Sequence, residues 1–228
     1  MSTTLPQPGT PGKRSLKKRI LRTIHNTRCK TWDLVHGVDT CGFIPLTTFQ
    51  FESQNKTAGL EYQSHHPRII RDALRAAALD FKRFTFVDYG CGKGRALLVA
   101  SEFPFRRIIG LEFVPELAEI ARRNIKTCRG LNQQCREIEV ITGDATDYPL
   151  PPEPELLYFY SPFSTPVMNK VFEAIETSLE RDPRELVVLF TGVLGMRDKA
   201  FGRPPYERVL RDPGYDVYRR TQRREDAA

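Results

Sequence analysis

The chain has 228 residues, of which 40 % are apolar and 10 % aromatic, enough for one buried core with an extension. Its formal net charge of +7 arises at the start of the chain, because residues 1–32 hold eight basic side chains and no acidic one. The remainder is close to neutral, which disfavours a body that binds nucleic acid over a broad basic surface. The five cysteines form no CxxC pair, so neither a zinc site nor a disulfide framework is predicted, and a reducing, cytoplasmic location is expected.

The first part of the chain divides into a tail and an arm. Residues 1–12, rich in Pro and Gly, are predicted to be a disordered tail. In residues 13–28 apolar side chains recur every four positions at Leu16, Ile20 and Ile24, which predicts a helix with a narrow apolar stripe. Its basic face either stays in solvent or contacts phosphate or an anionic surface. Residues 13–66 are interpreted as a basic arm and an N-terminal extension that serves as a substrate lobe.

From residue 67 onward the pattern becomes regular, and residues 67–228 are predicted to be one ligand-binding domain. Helical periods alternate with short apolar runs, and no apolar run approaches the roughly 20 residues of a membrane span. This alternation predicts an α/β fold with a mostly parallel sheet covered on both faces and an antiparallel strand from a terminal hairpin. Helices are expected at 67–79, 96–103, 115–128 and 167–179, and strands at 84–88, 107–113, 137–144, 155–163, 185–192, 206–212 and 215–221.

The most informative segment is the glycine-rich turn after the first of these strands. The strand ends at Asp88, and Gly90, Gly92 and Gly94 follow at every second position. Open parallel sheets bind ligands beyond the carboxyl ends of their strands, and glycine lets the backbone approach a ligand closely. The spacing departs from the GxGxxG of dinucleotide sites, where Arg95 would replace a small residue. A carboxylate at Asp88 would repel a pyrophosphate and suits a ligand that carries an ammonium or a sulfonium.

The segment from Asp88 to Gly94, DYGCGKG, resembles motif I of the class I S-adenosylmethionine-dependent methyltransferases. This resemblance implies a seven-stranded Rossmann-like sheet with an antiparallel last strand and S-adenosyl-L-methionine as the cofactor. Glu112, at the end of the next strand, matches the acidic residue that accepts hydrogen bonds from the ribose, and Gly143-Asp144-Ala145 resembles the segment that meets the adenine. The residues expected to bind the cofactor are Tyr62, Ser64, Asp88, Tyr89, Gly90, Cys91, Gly92, Gly94, Glu112, Phe113, Asp144 and Ala145, with no metal ligand.

The acceptor side of the family lies at the end of the fourth strand. Ser161-Pro162-Phe163 resembles the [DNS]-P-P-[YFW] motif of amino methyltransferases but has one proline instead of two. Tyr160, Ser161 and Phe163 are therefore expected to face the acceptor. The Tyr62-x-Ser64 segment resembles one that closes over the methionine end of the cofactor in some small methyltransferases, including protein-lysine ones. His65 then becomes a candidate general base, whereas the alternative is a loop whose polar groups cap the next helix.

The sequence thus predicts methyl transfer to a nitrogen, of a protein lysine or another amine. Three alternatives stay open: an enzyme that modifies RNA or DNA and is tethered through residues 13–30, an NAD(P)-linked oxidoreductase, and a non-catalytic protein that keeps the cofactor fold. His36 and Asp39 either belong to the substrate lobe or cap a turn.

Overall fold

The computed structural model describes residues 27–44, 62–160, 163–192, 201 and 204–220. Residues 27–36 are helical (α1), and Phe43–Ile44 (β1) pairs in antiparallel fashion with Tyr62–Gln63 (β2). The predicted tail and most of the basic arm lie outside the described residues. The described part of the extension is therefore one helix and a two-stranded ribbon, which we call the N-terminal bracket (residues 27–44 and 62–66).

A seven-stranded sheet forms the centre of the domain, with the order β5-β4-β3-β6-β7-β9-β8. The pairs from β5 through β7 are parallel, while β9 runs antiparallel to both of its neighbours, as the terminal hairpin predicted. Every strand predicted after residue 67 is confirmed with its bounds within a few residues. The strands are Thr85–Tyr89 (β3), Arg107–Glu112 (β4), Ile138–Thr142 (β5), Glu155–Tyr160 (β6), Leu186–Thr191 (β7), Tyr206–Arg211 (β8) and Tyr215–Arg220 (β9).

Four helices cover this sheet: Pro67–Ala77 (α2), Arg95–Ala100 (α3), Pro115–Thr127 (α4) and Thr165–Arg181 (α5), with a 3₁₀ turn at Phe81–Arg83. The local sequence explains where α2 lies. His66 caps it by accepting a hydrogen bond from the Arg68 amide, Pro67 fits the first turn, and Ala78 ends it in a left-handed conformation with φ 50°. None of the helices in the described part of the chain is long and apolar enough to cross a membrane.

The core has two halves, one on each face of the sheet. Helices α2, α3 and α4 pack on the face that carries Phe86, Ile108 and Leu156, and α5 packs on the face that carries Val87 and Leu157. Because both faces are covered, strands such as β3 are buried at every position and read as continuous apolar runs. Strand order reverses between β3 and β6, so a crevice opens beyond the carboxyl ends of these two strands.

Gly110 in β4 lets the turn after β3 pack against the sheet. A Cβ at this position would lie 2.6 Å from Leu97 Cδ1 and 2.8 Å from Cys91 Sγ. We expect Gly110→Ala to lower the free energy of unfolding by about 1–3 kcal/mol, because both neighbours are buried and must shift. Chemical denaturation measures this. Gly143→Ala is the control, since a Cβ there meets nothing within 4 Å, and an equal loss in both variants would contradict the packing argument.

Candidate active site

The glycine turn lies at the reversal point, and its conformation requires glycine. Gly90, Gly92 and Gly94 have φ values of 88°, 53° and 84°, which side-chain-bearing residues adopt at a cost. The amides of Gly90 and Cys91 donate to the Leu111 carbonyl at 3.0 and 2.9 Å, so the turn is fixed to β4. Cys91, a predicted cofactor residue, directs its side chain into the core. Only its backbone can therefore face a ligand.

Glu112 closes β4 beside this turn, and its carboxyl group is 4 % exposed. Oε2 accepts a hydrogen bond from the Gly92 amide at 2.7 Å, and Oε1 accepts one from the Val114 amide at 3.0 Å. Burial raises the pKa of Glu112 to about 7, although the backbone hydrogen bonds oppose this shift. Since a carboxylate offers about four acceptor sites, acceptor capacity remains for a ligand hydroxyl.

Asp88 lies on the neighbouring strand and is equally buried, at 3 % exposure. The sheet register pairs it with Gly110 on one side and Tyr158 on the other. Burial, with a further contribution from the Glu112 charge, raises the pKa of Asp88 well above its usual range. Two carboxyl groups therefore lie at adjacent strand ends, where the cationic groups of a ligand would be favoured.

Tyr89, also a predicted cofactor residue, points to the opposite face of the sheet. Its ring stacks on Phe159 with centroids 4.8 Å apart, and its hydroxyl is buried without a hydrogen-bond partner among the described residues. Burial raises the pKa of the Tyr89 hydroxyl well above its usual range. Its side chain contributes to the core, so that only its backbone belongs to the turn.

A pocket with about 330 Å³ of empty space opens between the glycine turn, the end of β5 and the start of α5. The Gly143 amide donates to the Glu112 carbonyl at 3.0 Å, which joins the ends of β4 and β5. Asp144 Oδ1 accepts from the Thr146 amide at 2.9 Å and from its hydroxyl at 2.8 Å, so the carboxyl group is held at the rim. A mostly apolar pocket with a carboxylate at its edge suits a purine, which is apolar on its faces and carries hydrogen-bonding groups on its edge. Its lining residues are Gly90, Leu111, Phe113, Gly143, Asp144, Ala145, Phe163 and Val167.

A second cluster stands at the end of β6. His65 Nδ1 lies 2.7 Å from the Tyr158 hydroxyl, and the His65 ring stacks on Tyr160 with centroids 4.2 Å and planes 8° apart. The Thr191 hydroxyl, at the end of β7, is 3.1 Å from the Tyr158 oxygen. Burial raises the pKa of Tyr158 well above its usual range, as it does that of Tyr160 to a smaller extent. Among the other acceptor-side predictions, Ser161 lies outside the described residues, and Phe163 lines the pocket.

The two residues predicted at the methionine end are engaged within the N-terminal bracket. The Tyr62 hydroxyl donates to the Thr40 carbonyl at 2.6 Å, and the Tyr62 ring covers Gly92. The Ser64 hydroxyl lies 3.0 Å from Cys29 Sγ. Both side chains are therefore next to the glycine turn, where their hydroxyl groups already have protein partners.

Sequence reasoning missed a network of charged groups between the bracket and the turn, of which Asp33, Lys93 and Arg95 are buried. Arg95 pairs with Asp33 at 2.8 Å, and Lys93 pairs with Asp39 at 2.9 Å. Asp39 thus contacts the turn, while His36 Nδ1 caps a loop at 2.8 Å from the Arg129 carbonyl. The sequence signal was present, because two basic residues inside a buried glycine motif require partners. No group of three or more His, Cys, Asp or Glu within the described ranges could hold a metal ion.

Comparisons with known proteins agree with this geometry. Residues 86–182 match the family model described as a methyltransferase domain. No curated protein sequence matches the chain. Among solved structures, the fold is similar to TrmN from Thermus thermophilus, with 16 % identity, a TM-score of 0.52, and coverage of 68 % of this chain and 49 % of that one.

Two further structures are similar. A predicted N6-adenine-specific DNA methylase from Listeria monocytogenes has 14 % identity and a TM-score of 0.50, with coverage of 68 % of this chain and 50 % of that chain. An RNA methyltransferase from Salinibacter ruber, in complex with S-adenosyl-L-homocysteine, has 19 % identity and a TM-score of 0.42, with 68 % and 90 % covered. The chain spans about half the length of the Thermus and Listeria proteins.

Residues 86–182 carry a methyltransferase domain, and the sheet order and the glycine turn around them are those of the class I S-adenosylmethionine-dependent fold. The methyl donor that this domain uses is S-adenosylmethionine. This result confirms the fold and cofactor predicted from the sequence, and it favours methyl transfer over the oxidoreductase and the non-catalytic protein.

The raised pKa of Glu112 predicts that ligand binding depends on pH. Ribose hydroxyls favour the ionised carboxylate, so with a pKa of about 7 the affinity for S-adenosylhomocysteine should rise by about tenfold from pH 6 to pH 8. Calorimetry at several pH values measures this affinity, and Glu112→Gln should make it independent of pH over this range.

The raised pKa of Glu112 affects the free energy of unfolding in the opposite direction. The native state binds this proton more tightly than the unfolded chain, so the contribution of Glu112 to the free energy of unfolding falls as pH rises from its ordinary pKa of 4.5 to its raised pKa of about 7.

Proposed function

We propose that this enzyme methylates a nitrogen, of a protein lysine or another aliphatic amine, at the carboxyl end of β6. The observation that carries this proposal is His65, stacked on Tyr160 and hydrogen-bonded to Tyr158. An amine must lose its proton before it can attack, and a lysine with a pKa of about 10.4 is protonated at neutral pH. Imidazole, with an unperturbed pKa of about 6.5, is suited to take that proton.

The cofactor side of the proposal assigns each residue a task. Bound S-adenosylmethionine supplies a methyl group on a sulfonium, and the chain binds and orients it. Glu112 accepts hydrogen bonds from the ribose hydroxyls, and Asp144 with Phe113 and Ala145 contacts the adenine. The glycine turn lets the backbone approach the ligand. The joined ends of β4 and β5 and the apolar pocket between them support these assignments.

The proposed acceptor site depends on how rigidly the His65 ring is held. The hydrogen bond to Tyr158 fixes the direction of the ring, and the stack on Tyr160 fixes its plane. Thr191 contacts the Tyr158 hydroxyl and also donates to the Phe159 carbonyl at 3.1 Å, so the support reaches across β6 and β7. Proton removal requires a base that is already held in the correct orientation, because misplacing the base lowers the rate steeply.

The aromatic rings favour an aliphatic amine over a nucleobase. Enzymes that act on a base usually hold it by stacking on an aromatic ring. Here His65 covers one face of Tyr160, and the Phe163 ring is only 5 % exposed and lines the pocket. One face of Tyr160 is therefore not accessible to a flipped base, and Phe163 is too deeply buried to stack on one.

A nucleic-acid acceptor is the second candidate, and the charge of the arm supports it. The eight basic residues of positions 1–32 include Arg28 and Lys30, both exposed on α1. The Listeria structure is described as a predicted DNA methylase. This candidate predicts RNA or DNA binding that weakens steeply with salt and disappears when residues 1–30 are deleted.

The deciding experiment is a methyl-transfer assay with labelled S-adenosylmethionine on lysine peptides, polyamines, RNA and DNA. We expect transfer to an aliphatic amine, and a fall in kcat of about 100-fold or more in His65→Gln, the range of general-base catalysis. His66→Gln is the matched control, because the His66 side chain caps the start of α2. Transfer to nucleic acid alone would establish the second candidate. Full activity in His65→Gln would exclude His65 as the base.

A further inference from the structure

Arg95 is the first residue of α3, yet its side chain leaves the methyltransferase domain and enters the N-terminal bracket. The side chain is 4 % exposed. Nε donates to the Thr40 hydroxyl at 2.7 Å, and Nη2 donates to Asp33 Oδ1 at 2.8 Å and to the Cys29 carbonyl at 3.4 Å. The guanidinium also lies 4.9 Å from the centroid of the Trp32 ring. A planar, permanently charged fork is needed to make these contacts together.

Asp33 organises the bracket around this guanidinium. Its carboxylate accepts hydrogen bonds from the Thr40 amide at 2.8 Å, the Thr40 hydroxyl at 2.6 Å and the Cys41 amide at 2.5 Å. The loop after α1 is therefore folded about one buried ion pair. Removing either partner would leave the other charge buried and unpaired.

A second ion pair lies beside the first. Lys93 Nζ donates to Asp39 Oδ1 at 2.9 Å and to the Cys41 carbonyl at 3.2 Å. Asn124 of α4 accepts from the Asp39 amide and donates to the carbonyls of Asp39 and Lys93, at 2.8, 2.8 and 2.9 Å. The glycine turn and the bracket thus behave as one hydrogen-bonded unit.

The remaining contact of Arg95 leads to the acceptor side. Nη1 donates to the His65 carbonyl at 3.3 Å. His65 is thereby held at two points, its backbone by the first residue after the cofactor turn and its ring by Tyr158 and Tyr160 of β6. Arg95 connects the cofactor turn to the acceptor side, because it follows Gly94 in the sequence and its side chain donates a hydrogen bond to His65.

We propose that Arg95 is a positioning residue, which acts through Asp33 and the His65 carbonyl to hold the His65 imidazole over the end of β6. This inference rests on the proposed role of His65 as proton acceptor. Arg95 is not among the residues that line the pocket. Its substitution should therefore loosen the bracket, including His65, while Glu112 and Asp144 keep their hydrogen bonds at the ends of β4 and β5.

The test measures the reactivity of His65 with diethyl pyrocarbonate, read by peptide mass spectrometry in the full chain. In Arg95→Met we expect His65 to react about fivefold faster or more. Without the Arg95 hydrogen bond, the His65 ring should be exposed to the reagent for a larger fraction of the time. His66, the cap of α2, is the internal reference and should keep its rate. The affinity for S-adenosylhomocysteine should stay within about threefold of wild type, while kcat falls with little change in the KM for the methyl donor.

Arg71→Met is the matched control, since Arg71 of α2 forms an ion pair with Glu102 through two hydrogen bonds and, within the described part of the chain, hydrogen-bonds to no residue of the bracket. Arg95→Lys keeps the charge and should restore part of the protection of His65. If Arg95→Met does not fold, Asp33→Asn is tested instead, because asparagine keeps the shape of the Asp33 side chain and removes its charge. An unchanged His65 rate in a folded variant would overturn the proposal. This readout needs no methyl acceptor, so its failure is distinguishable from a failure of the proposed function.

Discussion

Replacing Glu112 by alanine is expected to weaken the binding of S-adenosylhomocysteine by about 100-fold, the equivalent of one or two hydrogen bonds to a charged group. The carboxylate lies at the end of β4, where it accepts hydrogen bonds from the Gly92 and Val114 amides, and its chain neighbours Leu111 and Phe113 line the pocket. The substitution also removes the partner of the Gly92 amide, which loosens the turn. Isothermal titration calorimetry gives the affinity directly.

A matched control for this prediction lies four residues further along the chain. Glu116 is exposed in the first turn of α4, and Glu116→Ala should change the affinity by no more than about twofold. A thermal shift provides a second measurement, because ligand at 100 times its dissociation constant stabilises the native state by about 2.7 kcal/mol. Equal shifts in wild type and Glu112→Ala would show that the ribose is held elsewhere.

Gly92→Ala should be the most damaging single-methyl change in the site. The residue has φ 53°, and a Cβ there would lie 2.4 Å from Tyr62 Cε2 and 2.6 Å from Tyr62 Cδ2. We expect the free energy of unfolding to fall by about 2–4 kcal/mol, from left-handed backbone strain together with overpacking. The affinity for S-adenosylhomocysteine should fall by about tenfold or more, since the Gly92 amide would no longer meet Glu112.

A double-mutant cycle separates the two causes of this loss. In a Tyr62→Ala background the ring is absent, so Gly92→Ala should cost only the backbone strain, about 1–2 kcal/mol. The difference between the two backgrounds measures the contact between the bracket and the glycine turn. If Gly92→Ala has the same effect in both backgrounds, the Tyr62 ring does not press on the turn in solution.

Features determined by local pattern were predictable from the sequence. Helical and strand periods predicted the four α-helices and seven strands that the structure describes from residue 67 onward, but not the 3₁₀ turn at Phe81–Arg83. The strands were predictable because parallel strands buried on both faces read as continuous apolar runs. The glycine turn was predictable since positive φ restricts those positions to glycine, and Glu112 followed from its place at the end of the next strand. Helix α3 ends at Ala100, three residues before the predicted end at 103, because local pattern defines helix ends poorly.

The tertiary structure alone decided which distant residues meet. His65 and Tyr158 are far apart in the chain, and only the docking of the bracket beside β6 brings them into contact. The sequence showed Arg95 as a departure from the dinucleotide pattern, whereas the fold gives it a buried partner in Asp33. Phe163 lines the pocket beside Ala145, and this proximity depends on how the start of α5 packs against the end of β5. Periodicity assigns a side chain to a face of its own element, and what lies opposite that face depends on long-range packing that no local pattern encodes.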